Sequence, residues 1–404
     1  MFKFLGKGLN KGIAIGRLCF DDRISDCKGP FILCTGGNIS TSLISKYQAD
    51  IIGLCVTSAT ETSHAVIMAK GMGIPVVADL GDIPMGLCSK EAIVDGYDGR
   101  VYIEPDEDTI SLISAKADRE ACRQKELKAL IGKETVTLDG RKIDIFAVAG
   151  RIGEVSEAVE NGASGIGLFR SEFLFAEDRE IPSEELQFGF YRHILEKMGS
   201  KPVTIRTFDI GGDKQVGFLP LAQELRGLRF CLNHRELFIS QLRALYRASV
   251  YGNLKILLPM VNSAEEISEA KDIINNVKPG LSAEGIDFND VPVGAMIETP
   301  AGARASKLIA DEMDFLCIGT NDLLSYTLNV DRHSEADPHQ SEFLRLLELI
   351  IHNAHDKGIS VGICGELSDD LKMVKKLISM GADYLSVTPH RILPLKYEIL
   401  KMNI

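Results

Sequence analysis

From residue 143 onward, short uninterrupted apolar runs alternate with longer segments whose apolar residues recur at helical spacing. The runs are Ile145–Ala149, Gly165–Phe169, Val203–Ile205, Leu225–Phe230, Lys255–Met260, Val293–Ile297, Phe315–Gly319 and Ser360–Ile363. A strand covered on both faces shows a continuous apolar run rather than alternation, so these runs predict a parallel sheet flanked by helices. Eight of them within residues 143–404 match a closed (β/α)8 TIM barrel in number and length. The fourth is the least regular, because Arg226 and Arg229 interrupt it.

The first hundred residues have a different rhythm. Candidate strands Ile13–Phe20, Phe31–Thr35, Ile51–Thr57, Ile74–Ala78 and Ala92–Ile103 are separated by turns, the last segment folding back at Gly96-Tyr97-Asp98-Gly99. His64–Lys70 reads as a helix with Thr62 or Ser63 as its N-cap. Residues 1–103 are therefore expected to form a smaller mixed α/β domain. Between the two, Glu104 to about Lys133 carries Ile110, Leu112, Ile113, Ala121, Leu127 and Leu130 at helical spacing with little else apolar. This predicts a helical linker over 104–142, and a surface helix of either domain fits the pattern equally well. The division expected is thus 1–103, 104–142 and 143–404, in the α/β class.

Composition narrows the function without naming it. A chain of 404 residues, 45% hydrophobic and 25% charged, is an ordinary soluble protein of two domains. No apolar run reaches the roughly 18 residues of a membrane span, and the start Met1-Phe2-Lys3-Phe4 lacks the pattern of a signal peptide. Nine cysteines without a Cys-x-x-Cys pair suggest free thiols in a reducing, cytoplasmic compartment. A net charge of −12 argues against non-specific binding to nucleic acid or anionic membrane. An anionic small molecule stays compatible with that charge, since local arginines reverse the field inside one cleft.

The candidate chemistry lies just after the runs. Arg170-Ser171-Glu172, Arg206-Thr207-Phe208-Asp209, Glu298-Thr299-Pro300, Thr320-Asn321-Asp322 and Cys364-Gly365-Glu366 each follow one of them. In a β/α barrel all of these share the C-terminal rim, where active sites form. Arginines gathered there favour a substrate with phosphate or carboxylate groups, because the guanidinium fork binds both bidentately. Glu298 and Asp322 suit a hard cation such as Mg2+, which takes one or two carboxylates and completes its shell with water and substrate oxygens. Arginine plus magnesium around a phosphoryl group is the electrostatic arrangement phosphoryl transfer requires. Cys364, flanked by Gly365, is a candidate proton donor, since a thiol of ordinary pKa (about 8.5) is mostly protonated at neutral pH. A small buried thiol is nearly as good a reading of it. His64, one of eight histidines, sits where a loop enters a helix, and backbone N–H groups there stabilise a phosphoryl group. No histidine spacing proposes a zinc site.

These strings, taken in order, resemble the phosphoenolpyruvate (PEP)-utilising family, and within it enzyme I of the bacterial sugar phosphotransferase system. The resemblance rests on Thr62-Ser63-His64 with Ile67-Met68-Ala69, on Gly167 through Phe175, and on Arg206 through Lys214. Arg226-Gly227-Leu228-Arg229, Glu298-Thr299-Pro300-Ala301, Gly319 through Leu323, Asp331-Arg332 and Cys364-Gly365-Glu366 complete it over nearly the whole chain. It implies a phosphohistidine domain that swivels against a PEP-binding TIM barrel. His64 would receive the phosphoryl group of PEP. Arg170, Arg206, Arg226 and Arg332 would bind the substrate, and Asn321 would contact its phosphate. Glu298 and Asp322 would ligate Mg2+, and Cys364 would protonate the enolate to pyruvate. It also implies a homodimer through the barrel and a phosphoryl-acceptor protein.

The departures concern that acceptor. Only about ten residues separate Phe20 from Phe31, where the family carries a helical subdomain that docks a carrier protein. Ala59-Thr60-Glu61 replaces two glycines and a basic residue, Lys70 replaces an arginine, and Gln223-Glu224 replaces Asn-Pro. The segment after Lys396 is short for the family. Alongside an active phosphotransferase, the sequence therefore accommodates a PEP-binding regulatory protein, or one component of a split dikinase-like system.

Overall fold

A computed structural model describes residues 1–27, 29–36, 44, 46–58, 66, 68–69, 72–174, 181–210, 226–330 and 336–404. It divides into two compact units, Met1–Glu126 and Leu127–Ile404.

The first unit is one sheet of eight strands: β1 (Phe2–Leu5), β2 (Lys7–Asn10), β3 (Ile13–Phe20), β4 (Phe31–Thr35), β5 (Ile51–Val56), β6 (Val76–Ala78), β7 (Glu91–Asp95) and β8 (Arg100–Ile103). Their order is β1-β8-β7-β3-β4-β5-β6-β2. β3 to β6 pair in parallel, and the flanking pairs are antiparallel. Apolar side chains cover both faces, with Leu18, Ile32, Val94 and Val101 in one cluster and Leu33, Leu54, Val56 and Val76 in the other. Hydrophobic pattern does not reveal β1 and β2, because they are largely exposed edge strands held by backbone pairing. Of the helix expected over His64–Lys70, only Val66, Met68 and Ala69 lie among the described residues. A helix over Glu107–Lys128 follows the sheet, and Lys116 Nζ reaches the fully buried carboxylate of Asp95 at 2.6 Å.

One expectation about the cysteines is corrected here. Cys19 and Cys27 form a disulfide across the turn after β3. Cys34, Cys55, Cys88, Cys122, Cys231, Cys317 and Cys364 carry free thiols. Spacing gave no sign of the pair, because Cys19 lies within an apolar strand and Cys27 within a polar turn. Among the described residues, no helix is long and apolar enough to cross a membrane.

The second unit is a closed barrel of eight parallel strands. They are β9 (Asp144–Ala149), β10 (Ile166–Arg170), β11 (Pro202–Arg206), β12 (Asn253–Leu258), β13 (Val293–Ile297), β14 (Phe315–Gly319), β15 (Ser360–Cys364) and β16 (Tyr384–Val387). The α/β class and the TIM barrel are as read from the sequence, but one assigned segment differs and one strand had not been assigned. The described residues of Leu225–Phe230 form no strand: beyond the isolated bridge residue Arg226 and Gly227 at φ +63°, the chain turns into the helix Leu228–Asn233. The eighth strand is instead Tyr384-Leu385-Ser386-Val387, which pairs with β9 and closes the ring. Four residues with a serine among them make too short a run to register as a buried strand.

Helix caps fix where the rim residues lie. Ser183 accepts from Leu186 N, Ser263 from Glu266 N and Asp370 from Lys372 and Met373 N. Thr299 accepts from Gly302 N with Pro300 in the first turn, so β13 passes into a helix one residue after Glu298. Inside the barrel, Leu168, Leu257, Met296, Phe315, Cys317 and Cys364 form a separate apolar layer. Below the rim, Tyr384 stacks on Phe146 with ring centroids 4.7 Å apart, next to Gly362. A Cβ on Gly362 would fall 1.9 Å from the Tyr384 ring. Gly362→Ala is thus expected to lower stability by about 1–3 kcal/mol through overpacking, read as a lower urea midpoint. An unchanged midpoint would mean that Tyr384 is free to move aside.

Candidate active site

The C-terminal ends of the strands surround a cavity of about 600 Å³. Arg170 and Arg206 end β10 and β11 and sit opposite one another in the strand register. Carboxylates hold the second of these guanidiniums, and the first lies over the ring of Phe173. Glu172 bonds Arg206 Nη2, and Asp209 Oδ2 lies 3.1 Å from Arg206 Nη1. Asp209 also grips Arg226, at 3.0 Å to Nε and 3.1 Å to Nη2. The other edge of that guanidinium meets Asp322, at 3.2 Å from Nη1 and 3.1 Å from Nη2. Glu172, Arg206, Asp209, Arg226 and Asp322 therefore form a chain of alternating charge across the rim. Burial opposes the charge on Arg206 and Arg226, yet the neighbouring carboxylates outweigh it and raise both pKa values.

An uncharged scaffold supports these groups from behind. Buried Gln241 accepts from Phe208 N at 3.0 Å and donates to Ser171 Oγ and Tyr191 OH, both at 3.0 Å. Ser171 Oγ in turn donates to the carbonyl of Arg206 at 2.7 Å, locking the ends of β10 and β11 together.

On the opposite wall, Glu298 Oε1 accepts from Met260 N at 2.8 Å. Its second oxygen lies against β14, where Gly319 leaves it room: a Cβ there would come within 2.7 Å of Oε2. Asn321 and Asp322 occupy the first turn of the helix Thr320–Leu328. Asn321 Oδ1 accepts from Glu366 N at 2.9 Å. Gly365, at φ +111°, permits that contact, since its Cβ would meet Asn321 Oδ1 at 2.5 Å. Cys364 ends β15 facing the cavity, its Sγ 3.6 Å from that of Cys317.

Charge and unfilled polar groups define what the cavity accepts. Its described lining includes Arg170 and Arg206 against Glu172, Glu298, Asp322, Glu366 and Asp369. Carboxylates outnumber guanidiniums, although Asp369 is paired with Arg391 at 2.5 Å. Arg170 Nε, Arg206 Nε and Glu172 Oε2 are buried with no hydrogen-bond partner. Burial, followed by repulsion from Asp209 and Asp322, pushes the carboxyl of Glu298 up to about 7. The site thus sets the guanidiniums of Arg170 and Arg206 toward an anion and a surplus of carboxylate toward a cation. Residues 124–404 match the family described as "PEP-utilising enzyme, PEP-binding domain", and residues 32–99 match "PEP-utilising enzyme, mobile domain".

The chain belongs to the PEP-utilising enzymes.

Proteins named phosphoenolpyruvate-protein phosphotransferase from Priestia megaterium, Geobacillus stearothermophilus and Staphylococcus aureus are 40%, 39% and 37% identical to it, over 85%, 87% and 91% of its length. The chain covers 62%, 63% and 67% of those relatives' own lengths.

Of the residues singled out from sequence in this family member, Arg170, Arg206, Glu298, Asn321, Asp322 and Cys364 line the same cavity. Arg226 stands behind it, engaged by Asp209 and Asp322. His64 and Arg332 lie outside the described residues, as do Ala59–Glu61, Lys70, Gly211–Lys214 and Gln223-Glu224. Sequence reasoning gave no role to Glu172 or Asp209, although both follow a rim arginine by two or three positions, which was the available signal. It also passed over Ser386 and Thr388, which line the cavity, because the strand carrying Ser386 had not been assigned.

Among the described residues, no three His, Cys, Asp or Glu side chains gather as a metal cluster. Glu298 and Asp322, both on the cavity wall, are hard oxygen donors of the kind that a magnesium ion sharing its shell with a substrate would take. The stability effect of Glu298 follows in sign. Its folded pKa lies above the ordinary 4.5, so the folded state holds the extra proton and loses stability as pH rises from about 4.5 through about 7. In metal-free protein, Glu298→Gln keeps an acceptor for Met260 N and removes the charge. Its melting temperature is expected to exceed that of the wild type above pH 7, the gap closing toward pH 5, and scanning calorimetry in chelator checks this. A gap independent of pH would contradict the electrostatic origin.

Proposed function

We propose that this chain binds PEP in the barrel cavity, passes its phosphoryl group to His64, and releases pyruvate. The phosphohistidine then hands the group to an acceptor protein or small molecule. The observation that carries this reading is the pairing of Arg170 with Arg206 at the ends of adjacent strands, each with a buried unpartnered Nε, opposite a surplus of carboxylate. A polyanion alone would meet repulsion from that surplus, and a cation alone would meet the arginines. An anion that arrives with a divalent cation balances both. Relatives that carry the name phosphoenolpyruvate-protein phosphotransferase support the same substrate.

In this mechanism Arg170 and Arg206 grip the phosphate and carboxylate of PEP through fixed forks, so little reorganisation accompanies the transfer. Asn321 contacts the phosphate, and Arg332 and Arg226 complete the cationic set. Glu298 and Asp322 would hold Mg2+, which would supply neutralisation of the phosphoryl charge. The P–O bond to the enolate breaks as the N–P bond to His64 forms. Cys364 then gives its proton to C3 of the enolate, whose π electrons form the new C–H bond as the C2 oxygen becomes a carbonyl. Residues 1–103 act as the phosphohistidine domain, and 104–142 as the linker about which it swivels so that His64 can reach the substrate. Barrel 143–404 pairs as a homodimer, and the cytoplasm is the proposed location.

Incubation with PEP and magnesium is expected to add one phosphoryl group, detected as an acid-labile mass increase of the intact protein. His64→Ala should abolish the increase, and chelator should suppress it. Labelling that persists in His64→Ala, or its absence from the wild type, would overturn the proposal. Arg206→Lys keeps the charge but loses the fork, and a fall of about 100-fold in the labelling rate is expected.

A further inference from the structure

Cys317 has no part in the mechanism above, yet its thiol lies against that of the proposed proton donor. It lies on β14, two residues before Gly319, which pairs with Cys364 across the strands. Both side chains therefore point into the barrel interior, among Leu168, Leu257, Met296 and Phe315. Cys317 Sγ donates to Cys364 Sγ at 3.6 Å, and Cys364 Sγ donates to the carbonyl of Ile318 at 3.4 Å. The two thiols form a directed pair, Cys317 to Cys364 to carbonyl, with only the second bordering the cavity.

We infer that Cys317 is a positioning residue for Cys364: its S–H stabilises the thiolate that Cys364 becomes when it gives up its proton. This rests on the assignment of Cys364 as the donor to the enolate carbon. When the S–H bond of Cys364 breaks and the C–H bond forms, the electron pair stays on its sulfur, in a layer that is otherwise apolar. A thiolate there without a donor is poorly solvated, which slows its formation. A proton from solvent later restores the thiol. Cys317 is suited to the donor role because it keeps its own proton: its hydrogen bond to Cys364, then burial, hold its pKa well above the ordinary range. The other titratable or charged groups facing the pair are Arg206 from β11, Glu298 after β13 and Tyr384 from β16. Arg206 also favours a thiolate and Glu298 opposes it, so replacement of Cys317 isolates the contribution of the second thiol.

The test uses the full chain and needs no turnover. Alkylation by iodoacetamide proceeds through the thiolate, so its rate at Cys364, followed by peptide mass spectrometry against pH, reports the ionisation of that sulfur. Cys317→Ala removes the donor, Cys317→Val removes it while filling the space, and Cys317→Ser restores one. The expected result is a midpoint raised by about one pH unit in the Ala and Val variants, with roughly tenfold slower alkylation at pH 7. The Ser variant should return to the wild-type curve. In single-turnover pyruvate formation, the alkaline limb should move up by the same amount, with a lower plateau and an unchanged KM for PEP. A packing defect would lower the rate without raising the limb. A midpoint unmoved in both Ala and Val, or moved as far in Ser, overturns the inference. Because alkylation requires no PEP, its outcome is independent of whether this chain turns that substrate over.

Discussion

The rim of the barrel depends on one line of alternating charge, from Glu172 through Arg206, Asp209 and Arg226 to Asp322. Its members come from the segments after β10, β11 and β14 and from Arg226, just ahead of the helix Leu228–Asn233, so it joins parts of the chain that backbone pairing alone does not connect. Four of the five are buried, and each is tolerated there only because its neighbours bear the opposite sign. Loss of any inner member would take one partner from the charge on each side of it, so the line favours one arrangement. Ending in carboxylates, it delivers negative charge beside Glu298 and, among the described residues lining the cavity, leaves Arg170 outside the line as a cation to meet a substrate.

Beneath this charged layer, Leu168, Leu257, Met296 and Phe315 form an apolar cluster that holds two thiols. The separation suits a reaction with two different demands. Moving a phosphoryl group calls for fixed charges near the solvent-facing mouth, whereas protonating a carbon calls for a weak acid shielded from competing water. Cys364 lies where the two layers meet, which is why one side chain borders both the substrate cavity and the apolar floor.

Much of this was legible in the sequence. Buried parallel strands announce themselves by unbroken apolar runs, and the strand-then-rim order placed Arg170, Arg206, Glu298, Asn321, Asp322 and Cys364 at one mouth before any coordinates. Where the reading failed, burial was not uniform along the segment. The stretch around Arg226 looked apolar enough for a strand, but its arginine is satisfied by Asp209 and Asp322 rather than by solvent, and Gly227 reverses the backbone into a helix. Tyr384–Val387 is a real strand whose serine faces the cavity, so polarity masked it. β1 and β2 bury too little to leave a pattern. Asp209 shows the deeper limit: its neighbours along the chain do not reveal that it will bind two arginines, because that follows from how the loops meet in space.

Gly319 carries no reactive atom, yet it sets the shape of the wall it belongs to. The carboxylate of Glu298 rests where a side chain at 319 would otherwise stand. Even a methyl group would crowd Oε2 of a carboxylate whose Oε1 is already tethered to the Met260 amide. The position is therefore closed to drift for reasons unconnected with reactivity. Among descendants of this chain, sequence change at the mouth should be confined to residues whose absence of bulk is not itself the function.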